Sequence, residues 1–208
     1  MLRLFTSVSL LVAVLPLVVA PRRPDAQAAS GRFLTLINGD TAAVEKFTRT
    51  ASQLTGEITQ RAGASIKFTA QLLPDASVSR FEFTSTQGAQ SAAAVIVFKG
   101  DTAYIEAEGR TERRPSAAGS VPIIPISFAL FEQAVLRSAK LGAATKALPM
   151  FGVVGLRSFE AGVSRPSADS AIVTIGNLPL RFKLDSRGLV ASGSSMRGSN
   201  PVVVLRAR

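Results

Sequence analysis

The sequence predicts a mainly β protein: a curved antiparallel sheet, a half-barrel of roughly a dozen strands, folded around a single mid-chain helix. Three observations carry this. Short β-prone segments with period-2 alternation recur along the chain, each closed by Gly, Asn, Asp or Pro. One stretch, near 127–141, has helix formers without Gly or Pro. Its apolar arc is far wider than a surface helix needs, so something must wrap it. A two-sheet sandwich with the helix in a crossover is the alternative architecture.

The first 28 residues read as a secretory signal peptide. Met1-Leu2-Arg3 is a positive n-region, Leu4 to Ala20 an apolar run interrupted by Pro16, and Ala26-Gln27-Ala28 a small-residue cleavage site. The run is short for a membrane span, which needs about 20 apolar residues. An uncleaved anchor would place Arg22 and Arg23 on the translocated side, against the usual bias of positive charge. The expected location is therefore periplasmic or extracellular, and residues 29–208 form a single β-rich domain. Cleavage after Ala28 leaves 21 basic and 13 acidic residues, a charge of +8. Without Cys the exported domain has no disulfide to hold it. Packing and β ladders must do so.

Arg32 to Ile37 and Thr41 to Thr50 are paired strands around Asn38-Gly39-Asp40, a strong hairpin turn. Leu54 to Gln60 follows. Ile66, Phe68, Ala70 and Leu72 alternate with polar residues, as do Phe81 and Phe83. The continuous run Val95 to Phe98 suggests a strand covered on both faces. Lys99-Gly100-Asp101 turns it into Thr102 to Glu108, and residues 109–125, rich in Arg, Gly and Pro, read as a loop.

Ser127 is the expected N-cap of the helix and Gly142 its C′ residue. At about 100° per residue only Gln133, Arg137 and Lys140 make a polar strip, opposite Phe128, Phe131, Ala134, Val135 and Ala139. Glu132 falls inside the apolar arc, where a carboxylate has to be paired, protonated or at a rim. After the helix the expected strands are Val153 to Glu160, Ala171 to Ile175, Leu178 to Leu184, Leu189 to Ser194 and Val202 to Leu205.

This meander, its single apolar helix, and the closing stretch from Leu180 through Asp185-Ser186-Arg187-Gly188 to Val190 resemble periplasmic half-barrel proteins. That group includes the bacterial lipoprotein carriers and related secreted β domains of unknown function. The resemblance lies in the order of elements over most of residues 29–208. It implies an acyl chain held in a concave apolar space.

The composition excludes much chemistry. There is no His and no Cys, hence no Ser-His-Asp triad, no thiol nucleophile and no imidazole or thiolate for a transition metal. Gly152-Val153-Val154-Gly155 lacks the Lys-Ser/Thr pair of a phosphate loop. Asp101, Asp169 and Asp185 sit at turns, where Asp serves the backbone. Glu106 and Glu108 alternate along one strand and are the one pair to weigh for carboxylate catalysis, against a solvent-facing strand edge. Twelve Phe, one Tyr and no Trp leave few stacking platforms for nucleic-acid bases, and the basic residues are scattered. The expectation is a non-enzyme without cofactor, metal or nucleic acid. Its function would be binding an acyl or other apolar ligand in the concave sheet, with Glu132, Phe128 and Phe131 as candidate ligand contacts. The alternative is an accessory domain that docks on another envelope protein. For Glu132 the two readings are an ion pair with a strand Arg and a polar contact for a ligand head group. For the Phe residues they are a closed core and a pocket lining.

Overall fold

The computed structural model describes residues 29–142 and 145–207; the expected signal segment 1–28 lies outside the described residues. The first half is a meander of eight strands: β1 (Ala29–Ile37), β2 (Asp40–Arg49), β3 (Gln53–Gln60), β4 (Ser65–Leu72), β5 (Val78–Gln87), β6 (Gln90–Lys99), β7 (Thr102–Ala107) and β8 (Arg110–Pro115). The second half opens with β9 (Val121–Ile123) and helix α1 (Phe128–Lys140). It continues through β10 (Thr145–Gly152), β11 (Arg157–Ser167), β12 (Ser170–Ile175), β13 (Leu178–Leu184), β14 (Val190–Arg197) and β15 (Asn200–Ala207).

All 15 strands join one sheet, ordered β8 down to β1, then β15 down to β9. The two meanders therefore meet in the middle, where β1 pairs antiparallel with β15. The free edges are β8 and β9. The sheet curls until these ends approach. Val78 N, at the start of β5, donates to Ser120 O just before β9 at 3.4 Å, and Phe98 of β6 meets Phe151 of β10 edge-on at 5.5 Å. The half-barrel around one helix is thus the observed architecture.

Four local expectations are corrected. The sheet is mixed, since β9 and β10 pair parallel. The helix sits between these two strands in sequence, which allows the crossover a parallel pair requires. The stretch 109–125 holds two strands. All of β8 is exposed, so it shows no apolar face to read, and its charges suit an unpaired edge. β9 is fully buried, with Pro122 tolerated because the strand is at an edge. The expected strand 153–160 is displaced: Val153 to Leu156 is a turn, with Gly155 at φ 89° and Leu156 at φ 49°, between β10 and β11. Pro149 inside β10 masks that strand. Finally, β6 is covered on one face only: Ile96 is buried, while Val95 and Val97 on the other face are half-buried.

The core runs from both inner sheet faces onto α1. Three glycines within strands are covered by the phenylalanine paired with them across the ladder: Gly31 by Phe47, Gly56 by Phe68 and Gly193 by Phe182. At Gly56 an added Cβ would lie 2.2 Å from the Phe68 ring, so the bare backbone is what lets the ring lie flat on the sheet. The helix begins as expected. Ser127 has extended φ and ψ of −99° and 104°, and its hydroxyl accepts from Leu130 N at 3.4 Å. Gly142 follows the helix at φ 74°. Among the described residues no helix is long and apolar enough to cross a membrane.

Candidate functional site

The sequence places its candidate residues on the inner face of α1, and the structure brings them together there. Phe128 and Phe131 are buried, with ring centroids 5.8 Å apart. Phe131 and Phe128 both approach Phe182 of β13, at 6.3 and 6.4 Å, and Phe128 approaches Phe33 of β1 at 6.3 Å. Glu132 has no exposed surface. One of its carboxylate oxygens pairs with Arg49 of β2, and the other with Arg206 of β15. The second oxygen also accepts from Val190 N at 2.8 Å.

The two arginines are anchored in turn. Arg49 donates to Gln133 Oε1 at 3.1 Å and to Ala129 O at 3.0 Å. Arg206 donates through Nε to Val190 O at 2.6 Å, and its guanidinium lies over the stacked rings of Phe33 and Phe47 at 4.9 and 5.1 Å. The seam strands and the helix are thereby tied by one charged cluster with a satisfied carboxylate.

A second buried carboxylate, absent from the sequence expectations, sits beside it. Glu45 of β2 accepts from Ser127 Oγ at 2.5 Å, Phe128 N at 2.7 Å and Ala129 N at 3.0 Å. It occupies the start of α1, where the unpaired amides and the helix dipole favour an acceptor. Burial pushes its pKa up to about 7, against the pull of those three donors and with a further push from Glu132. The folded state then holds a proton more tightly than an ordinary glutamate at 4.5. Stability from this group is complete below about 4.5 and is lost as pH rises through about 7. Melting temperature should fall across that window in the native protein and stay level in Glu45→Gln, as calorimetry at stepped pH would show.

Of the polar strip of α1, Gln133 and Arg137 are buried and Lys140 is exposed. Gln133 Nε2 donates to Ala76 O at 2.8 Å, and Arg137 donates to Asp75 through its carbonyl at 3.1 Å and its carboxylate at 2.7 Å. Partial burial pulls the Asp75 carboxyl upward, but the Ser77 hydroxyl and the Arg137 guanidinium outweigh it and hold it down at about 2. Gly119 leaves room for that guanidinium: an added Cβ would lie 1.9 Å from Arg137 Nη2. The apolar arc apart from exposed Ala139, and the polar strip apart from Lys140, are therefore consumed in holding the helix.

The openings lie elsewhere. A shallow groove of about 600 Å³ crosses β4 to β8, and a smaller one of about 370 Å³ crosses β2 to β4, with Lys67 and Phe68 lining both. Lys67, Thr69, Glu82, Thr84, Val95 and Glu106 line the larger groove from strand positions opposite in parity to the core residues. Phe68, Phe83, Ala94 and Ala107, which share the parity of the core, line it as well on the rung between those rows. Glu106 and Glu108 both line it and both are exposed. Glu108 falls outside the strand, in the hairpin turn at φ 50°. Asp185 serves its turn as expected, accepting from Arg187 N and Leu189 N, each at 2.9 Å. Among the described residues no cluster of His, Cys, Asp and Glu suits a metal ion.

One partner of Glu132, Arg49, was within reach of the sequence. On β2 the residues Ala43, Glu45, Phe47 and Arg49 share one face, and Phe47 marks that face as inward. Arg206 was not, because both faces of β15 are apolar.

No family model matches the chain, and no curated protein matches it. Among solved structures it is similar to a DUF1089 family protein from Pseudomonas aeruginosa, at 15% identity and a TM-score of 0.57, over 73% of this chain and 89% of that one. A beta-barrel-like protein of domain of unknown function DUF1849 from Brucella abortus aligns over 87% of this chain and 95% of its own, at 9% identity and a TM-score of 0.49. The likeness to the first of these is one of fold alone. The broad part of the expected resemblance, a β domain of unknown function, is met; neither structure is described as a lipoprotein carrier.

Proposed function

We propose that this protein is an exported, non-catalytic interaction domain of the cell envelope that works from the outside of its half-barrel. The observation that carries the reading is the state of the concave face. Where a carrier of acyl chains would keep space, α1 lies with Phe128 and Phe131 in ring contact with Phe182, and Glu132 has both oxygens engaged by protein donors. A head group arriving there would have to displace a buried arginine. The main openings are shallow grooves of mixed lining that cross β2 to β8, and the absence of His and Cys removes the commonest nucleophile–base pairs of catalysis. Export is supported by the charge, apolar run and small residues of segment 1–28.

Native mass spectrometry of protein purified from its own envelope tests both parts. The expected mass is that of a chain starting near Ala29 with no added lipid. A stoichiometric acyl lipid released only on denaturation would overturn the outer-surface reading, and a chain beginning at Met1 in the membrane fraction would overturn cleavage.

A further inference from the structure

The seam between the two meanders has an unusual outer face. A sheet with one face in solvent normally alternates apolar inward and polar outward. On β1 and β15 the alternation fails: Leu34 pairs with Leu205 and Leu36 with Val203, all on the side away from the core, and Val44 of β2 continues the row. Val203 and Leu205 are 39% and 41% exposed, and Met196 of neighbouring β14, on the same face, 48%. Among the described residues, three of the seven exposed large hydrophobic ones thus share one patch, a clustering that scattered surface leucines do not show.

Cations flank this patch on two sides. Arg32 and Lys46 stand directly opposite each other on β1 and β2, a like-charge pair that disfavours the sheet. Arg181 and Lys183 lie two residues apart on one face of β13, level with Ser194 and Ser192 beside the patch. All four are exposed, and none makes an ion pair among the described residues. The acid opposite Lys46, Glu57, is turned to Lys67 at 3.6 Å, and Lys183 has Asp169, next to its ladder partner Ser170, as its near acid without an ion pair.

We propose that this face docks on an anionic phospholipid surface. Leu34, Leu36, Val203, Leu205 and Met196 enter the boundary between head groups and acyl chains, and the four cations rest on lipid phosphates. A second copy of the chain fits poorly, because it would bring the same cations face to face. The proposal builds on the outer-surface reading and goes beyond it in naming the surface and its partner.

The test is co-sedimentation of the envelope-purified protein with phosphatidylcholine vesicles, with and without phosphatidylglycerol, at rising salt. Binding is expected only with phosphatidylglycerol and should weaken as salt rises. Arg181→Ala with Lys183→Ala should reduce it about thirtyfold, at about 1 kcal/mol for each lost charge. Leu205→Glu should abolish it with an unchanged melting temperature. Equal binding to both vesicle types, no binding to either, or retention by both variants would overturn the proposal. A concentration-dependent dimer lost in Leu205→Glu, or capture of an acidic protein in place of vesicles, would overturn the lipid assignment and leave the outer-surface reading standing. A lipid buried in the core would instead overturn that reading itself.

Discussion

Replacing Glu132 by Gln should destabilise the protein by about 3–5 kcal/mol, the loss that follows when one partner of a buried ion pair is removed. The cost arises from what stays behind. The side chains of Arg49 and Arg206 keep only 9% and 14% of their exposure and would share the interior without a counter-charge. Neither can leave easily. Arg49 is held by Ala129 O and Gln133, and Arg206 by Val190 O and two phenylalanine rings. Urea unfolding followed by circular dichroism should show a lower midpoint with an unchanged slope. Glu106→Gln, at the exposed groove, should stay within about 0.5 kcal/mol of the native protein. A Glu132→Gln protein as stable as the native one would mean that the cluster does not bind the helix to the seam.

Phe131→Ala should cost about 3–5 kcal/mol as well, by a different mechanism. Phe131 is 2% exposed and sits between Phe128 and Phe182. Truncation removes buried apolar surface and leaves a space that those two rings can fill only in part. The same variant should gain something the native chain lacks, a dry cavity able to take up a small apolar dye. Loss of stability with no dye uptake would mean that the helix settles inward over the gap.

How much of this was legible follows from where the signal is local. Strand alternation and turn chemistry are properties of neighbouring residues, so the hairpin at Asn38-Gly39 and the strands with Phe68 and Phe81 were readable, as were the caps of α1. The strands β8 and β10 were not. β8 has no buried residue, and β10 carries Pro149, so neither shows the pattern of a half-buried strand. The continuous run Val202 to Leu205 is ambiguous for a third reason: its outer residues are apolar without being covered by the chain itself. At the site, the position of Glu132 in an apolar arc announced that it needed partners. The parity of β2 turns Arg49 inward, but that it and Arg206 meet Glu132 depends on strands 83 and 74 residues away in sequence, which no local pattern encodes. Glu45 was overlooked because a glutamate between Val44 and Lys46 looks like part of an exposed strand. Only the parity set by Phe47 turns it inward.

The central claim is that α1 closes the concave face and leaves binding to the outer surface. Fluorescence titration of delipidated protein with cis-parinaric acid, an acyl chain that reports its own burial, tests it most directly. The native protein should show no saturable uptake of one chain per molecule. Stoichiometric uptake by the native protein, unchanged in Leu205→Glu and abolished by Phe131→Trp, would place the acyl chain beside the helix and contradict the account.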